Sequence, residues 1–139
     1  MLQRQILQCL EKLVGFCGLA YQGRNDIDDI IPSSRRSSDL DGRKPNLVVS
    51  LFAQQGPGCD DFNQWYQSDD VNKLSHWQKR IATSDVILQA NQSVDYWLAQ
   101  AELLILSVPP ELQAATAGIV TSVKGTKTTN TIKHQGQIA

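Results

Sequence analysis

The chain has 139 residues, of which 41% are apolar and 19% charged, and its 13 basic and 14 acidic side chains leave a formal net charge of −1. That is the length of one domain with one core, and the near balance of charge counts against a general nucleic-acid binder and against an acidic tail protein. No apolar run approaches the ~18 residues of a membrane span, so no membrane partner is expected.

Residues 2–20 read as an amphipathic helix. At about 100° per residue, Leu2, Ile6, Cys9, Leu10, Leu13, Phe16, Cys17 and Ala20 share one broad face, while Arg4, Gln5, Gln8, Glu11 and Lys12 share the other. Such a stripe packs into a core, or alternatively onto a partner or a second copy. Glu11 and Lys12 interrupt the only stretch that resembles a signal peptide, which is therefore rejected. Cys9 and Cys17 would stand roughly 12 Å apart along the helix, too far to bridge. With Cys59 they make an odd set of three, expected as reduced thiols in the cytoplasm. Gly15 and Gly18 weaken the last turns, and Gly23 is expected to end the helix.

Residues 22–46 are polar and without period, and read as a mobile loop. Within it Arg35, Arg36, Ser37 and Ser38 resemble a phosphorylation site directed by basic residues, set against the plainer reading of a solvated loop. Residues 47–52 are an apolar run whose β-branched residues suggest a buried strand, although length alone does not separate strand from helix. Gly56-Pro57-Gly58 breaks the chain. A phosphate loop would need a Lys-Ser/Thr pair here; Cys59-Asp60-Asp61 follows instead, so the segment is a turn with Asp60 or Asp61 capping the next helix.

Residues 61–67 form a short aromatic helix, and Ser68-Asp69-Asp70 opens another over 70–82. That helix places Val71, Leu74, Trp77 and Ile81 on one side and Lys73, His76, Lys79 and Arg80 on the other. The second side is the densest positive patch in the chain. It reads either as a solvated face or as a docking surface for an acidic partner or phosphate. After Thr83-Ser84-Asp85 a long helical pattern runs to Val108, where Pro109-Pro110 stop it. Residues 110–124 form a last helix rich in small side chains, and 126–139 are expected to be a disordered polar tail.

No Ser-His-Asp grouping, nucleophile elbow or zinc spacing occurs, and the acidic pairs at Asp60-Asp61 and Asp69-Asp70 are explained by helix N-termini. No cofactor and no metal are expected. Trp65, Trp77 and Trp97 are read as core residues. The expected fold is a mainly α, small single-domain helical bundle over 1–125, with the mobile loop and the polar tail. The expected function is a non-enzymatic interaction or regulatory module that meets another protein or a second copy of itself.

Two alternatives stand beside it. Strands at 47–52, 85–89 and 102–108 would give an α/β fold with a short parallel sheet. The segment from Leu103 to Pro110 resembles an inner strand of a nucleotide-binding domain, or of a degenerate enzyme, although the G-x-G-x-x-G fingerprint is missing. The other alternative is a small nucleic-acid-associated protein using Lys73, Lys79 and Arg80, which the net charge disfavours.

Overall fold

A computed structural model describes residues 2–32, 34–68 and 70–125. Among these the regular elements are α1 (Leu2–Ile30), α2 (Ser38–Asp41), α3 (Leu47–Gln55), α4 (Cys59–Gln67), α5 (Leu74–Ala82), α6 (Val86–Ile105) and α7 (Pro110–Ile138), the last described through residue 125. The fold is mainly α, and the parallel-sheet alternative is not supported. The tail expected over 126–139 lies outside the described residues. No described helix is long and apolar enough to cross a membrane. The chain divides into two compact units, one of Gln22–Val94 and one of Met1–Tyr21 with Asp95–Ala139.

In the second of these, Leu13, Cys17 and Ala20 of α1 are buried, as are Leu98 and Ala101 of α6 and Val120 of α7. The Cys9 thiol donates to the Leu104 carbonyl at 3.4 Å, and Lys124 pairs with Glu102. All three cysteines are free, and burial pushes the Cys17 thiol up from its ordinary value. The helix expected to reach Val108 ends at Ile105. The amides of Leu106, Ser107 and Val108 turn to carbonyls three residues back, the tightened geometry of a helix end before proline. Leu103 and Leu106, in the last turns before the prolines, are exposed.

The other unit holds the largest correction. Residues 22–46, expected as a loop, carry the last turns of α1 and the short α2. Asn25, Asp26, Asp28 and Asp29 are poor helix formers, and they hid the continuation. The helix persists because Gly23, Ile27 and Ile30 extend the buried three- and four-residue spacing beyond Ala20. It ends where Pro32 disfavours a helical Ile31. From there the chain is tied down by side chains. Asp29 accepts from the amides of Ser38 (3.2 Å) and Asp39 (3.1 Å) and from the Ser37 hydroxyl. Ser37 in turn caps α2 by accepting from the Leu40 amide at 3.0 Å.

Gln78 of α5 completes the tether. Its side chain is 1% exposed. Oε1 accepts from the Ser37 amide at 2.9 Å, and Nε2 donates to the carbonyls of Ile30 (3.0 Å) and Arg35 (2.7 Å). One amide thus supplies partners to three backbone groups of a segment that has no ladder of its own.

Residues 47–52, which the sequence left open between strand and helix, lie in α3 because Asn46 starts a helix there. Its Oδ1 accepts from the amides of Val48 (2.8 Å) and Val49 (3.2 Å), while Nδ2 donates to the Asp26 carbonyl and the Asp39 carboxylate, both at 3.0 Å. Two β-branched residues in the first turn do not outweigh that cap. Asp26 accepts from the Leu47 amide at 2.8 Å; burial pushes its carboxyl up, against the lowering by that amide. α3 then packs on α4 and α5, with Phe52 fully buried.

Three substitutions test this packing. Gln78→Leu keeps the volume and strands three backbone groups, so unfolding by denaturant should show a loss of about 2–4 kcal/mol, and trypsin should then cut after Arg35 and Arg36 far faster than in the wild type. A Cβ on Gly56 would overlap the Phe52 ring, whereas one on Gly15 meets nothing within 4 Å. Gly56→Ala should therefore lower stability by about 1–3 kcal/mol, and Gly15→Ala, in mid-helix, should raise it by about 0.5–1 kcal/mol.

Candidate functional site

The turn between α3 and α4 sets the site's frame. Gly58 sits at φ 73°, the left-handed region open to glycine, and α4 begins directly after it. Asp60 and Asp61 therefore lie inside the first turn, where they meet the positive helix end, and neither is the cap that was expected. α4 buries Phe62 and Trp65; α5 buries Leu74, Trp77 and Ile81. Their rings meet edge to face: Phe52 with Phe62 at 5.2 Å between centroids, and Phe62 with Trp77 at 5.4 Å. These separations are those preferred by aromatic quadrupoles. Trp65 and Trp77 follow at 6.3 Å.

Arg43 locks the end of α4. Its guanidinium lies 4.1 Å from the Trp65 ring centroid and 5.4 Å from that of Tyr66. Nε donates to the Tyr66 carbonyl at 3.0 Å, Nη2 to the carbonyls of Ser68 (3.1 Å) and Asp70 (3.4 Å), and Nη1 to that of Leu40 (2.9 Å). The carbonyls of Tyr66, Ser68 and Asp70 belong to a helix end and the turn after it, where backbone acceptors lack helical partners, whereas that of Leu40 also accepts from the Arg43 amide at 3.3 Å. Arg43 holds this position from a backbone φ of 52°, a conformation that few side chains adopt.

Between α4 and α5 the surface opens into a cleft of about 720 Å³. One wall is Asp61, Gln64 and Ser68, with Asp70 at the turn; the other is Lys73, His76 and Arg80; Trp65 and Trp77 also line it. Both indoles are almost fully buried, and neither Nε1 has a hydrogen-bond acceptor. Arg80 Nη2 donates to the Pro57 carbonyl at 3.2 Å and its guanidinium stands 5.4 Å from the Trp77 ring. The His76 ring meets Trp77 edge-on at 5.1 Å. Asp70 Oδ1 accepts from the Asn72 amide at 2.9 Å. Among the described residues no ion pair joins the acidic wall to the basic one, and no three of His, Cys, Asp and Glu are grouped as a metal ion would require.

Three of the four residues of the predicted basic face thus meet in one cleft, and Lys79, on the same helix, is exposed outside it. Arg35, Arg36, Ser37 and Ser38 do not join them. Ser37 is fully buried, its hydroxyl donating to the Asp29 carboxylate and accepting from the Leu40 amide. Ser38 is exposed, but its hydroxyl faces the Asp29 carboxylate at 3.3 Å. Arg36 pairs with Asp41 at 2.8 Å, and that hydrogen bond holds the Asp41 carboxyl below its ordinary value. Arg35 donates to the Asp28 carbonyl at 2.7 Å. Sequence reasoning missed Arg43, Asp61 and Asp70 as parts of a site, since each looks like an ordinary turn or helix-end residue. Asp69, which it grouped with Asp70, lies outside the described residues. No family model, no curated protein and no solved structure matches the chain.

The Arg43 lock is open to substitution. Arg43→Lys keeps the charge but loses the planar fork. Thermal unfolding should show a loss of about 1–2 kcal/mol, and tryptophan fluorescence should shift as the ring of Trp65 loses its cover.

Proposed function

We propose that this chain is a small non-enzymatic interaction module that docks another protein through the cleft between α4 and α5. The observation that carries the reading is convergence. Lys73, His76 and Arg80 share one cleft with two indoles, and among the described residues its ionic side chains are not paired with one another. Its volume of about 720 Å³ matches the few hundred to a thousand Å³ of ligand-binding clefts. A regulatory role is consistent with a module of this kind, and three free thiols favour a reducing compartment, the cytoplasm.

Affinity capture from the native cell tests the reading. Lys73→Gln with Arg80→Gln should lose the captured partner while the melting temperature stays nearly constant, since exposed charges contribute only about 0–1 kcal/mol each. Lys79→Gln, on the same helix outside the cleft, should retain it. Equal recovery by all three proteins would overturn the cleft as the docking surface.

A further inference from the structure

We propose that the exposed apolar stripe of α6, formed by Tyr96, Ala99, Leu103 and Leu106, is the surface by which this chain pairs with a second copy of itself. The stripe belongs to the unit of Met1–Tyr21 and Asp95–Ala139, and the inference does not rest on the cleft, whose residues all belong to the other unit.

This unit keeps much of its large apolar surface outside. Leu13 and Leu98 are its largest buried apolar side chains, and the other buried positions of α1 and α6 here are Cys17, Ala20 and Ala101. By contrast Leu7, Val14 and Leu19 of α1 are exposed, as are Tyr96, Leu103 and Leu106. Among the described residues of the unit Gln22–Val94, only Ile31, Val71 and Leu88 are large, apolar and exposed. A concentration of exposed apolar side chains marks a contact surface, and association is a standard means by which small units complete their burial.

On α6 the exposed residues form one line. Leu98 and Ala101 define the buried face. Tyr96, Ala99 and Leu103 lie opposite it, and Leu106 follows in the turn after the helix. The steps are three, four and three residues, the spacing that keeps a seam facing a partner helix. Tyr96 and Leu103 are each 59% exposed and Leu106 77%. With Ala99 they offer about 400 Å² per copy, taking a whole large side chain as roughly 150–250 Å². A stable interface of standard size takes about 800 Å² from each partner, a little over half of it apolar. The stripe therefore matches the apolar share of one side, and a second copy brings the other. The chemistry of the stripe suits that occupant. It carries no charge, so two copies meet without like charges opposed, whereas a charged partner finds nothing on it to pair with. Of the neighbouring acids, Asp95 stands at its start, and Glu102 at its edge is paired with Lys124.

Sedimentation equilibrium of the full chain, from micromolar to a few hundred micromolar, tests the pairing. It should show a monomer in equilibrium with a dimer. Leu103→Glu places a carboxylate in the apolar seam and should raise the dissociation constant at least roughly tenfold. Because Leu103 is exposed in the single chain, the far-ultraviolet circular dichroism of that variant should match the wild type. Should it fail to fold, Leu106→Lys, beyond the helix end, should weaken the dimer in the same way. Val71→Glu, exposed in the other unit, should leave the constant unchanged. A single-chain mass at every concentration would overturn the proposal, as would a dimer that neither Leu103→Glu nor Leu106→Lys weakens, or complexes of three or more copies. Capture of a different protein through Leu103 by a chain that is monomeric alone would overturn the second copy as the occupant. The cleft reading stands or falls separately, since Lys73→Gln with Arg80→Gln should leave the dimer intact.

Discussion

The unit of Gln22–Val94 depends on one buried amide. Gln78 belongs to α5 by sequence, but its side chain serves the segment that leaves α1, through Ser37, Ile30 and Arg35. That segment has a single short helix and cannot satisfy its own backbone. A buried backbone group without a partner costs about 1–3 kcal/mol, so this amide decides whether the path from Ile30 to Ser37 is a defined structure. Asp29 then organises the next step by gathering the start of α2. Asp26 and Asn46 do the same for the start of α3. Polar side chains that look like loop composition are here the partners of helix ends.

The cleft is a consequence of that order. Once the end of α2 is placed, Arg43 can reach across to the end of α4, cover one ring of Trp65 and satisfy the carbonyls of Tyr66, Ser68 and Asp70. The turn that presents Asp70 is therefore held from beneath by a residue far away in sequence. On the other side Gln78 anchors the helix that presents Lys73, His76 and Arg80. Both walls are supported by groups that do not line the cleft.

The sequence by itself determined the helical class and most of the element positions, because periodicity near 3.6 residues reports which face of a helix is buried without reference to any neighbour. Leu74, Trp77 and Ile81 fell on the buried side as their spacing required, and Lys73, His76 and Arg80 fell opposite. The proline stop after α6 was legible for the same local reason. What only the tertiary structure decided was where distant polar groups find partners. Residues 22–30 have weak local helix preference and fold as helix through burial of Ile27 and Ile30. Residues 47–55 turn helical on a cap whose amide is itself held by Asp26 and Asp39. The meeting of Asp61 with Lys73, His76 and Arg80 in one cleft, and the reach of Arg43 to the end of α4, involve separations in sequence that no local pattern encodes. Periodicity is a property of neighbours along the chain, whereas hydrogen-bond satisfaction and charge juxtaposition are properties of neighbours in space.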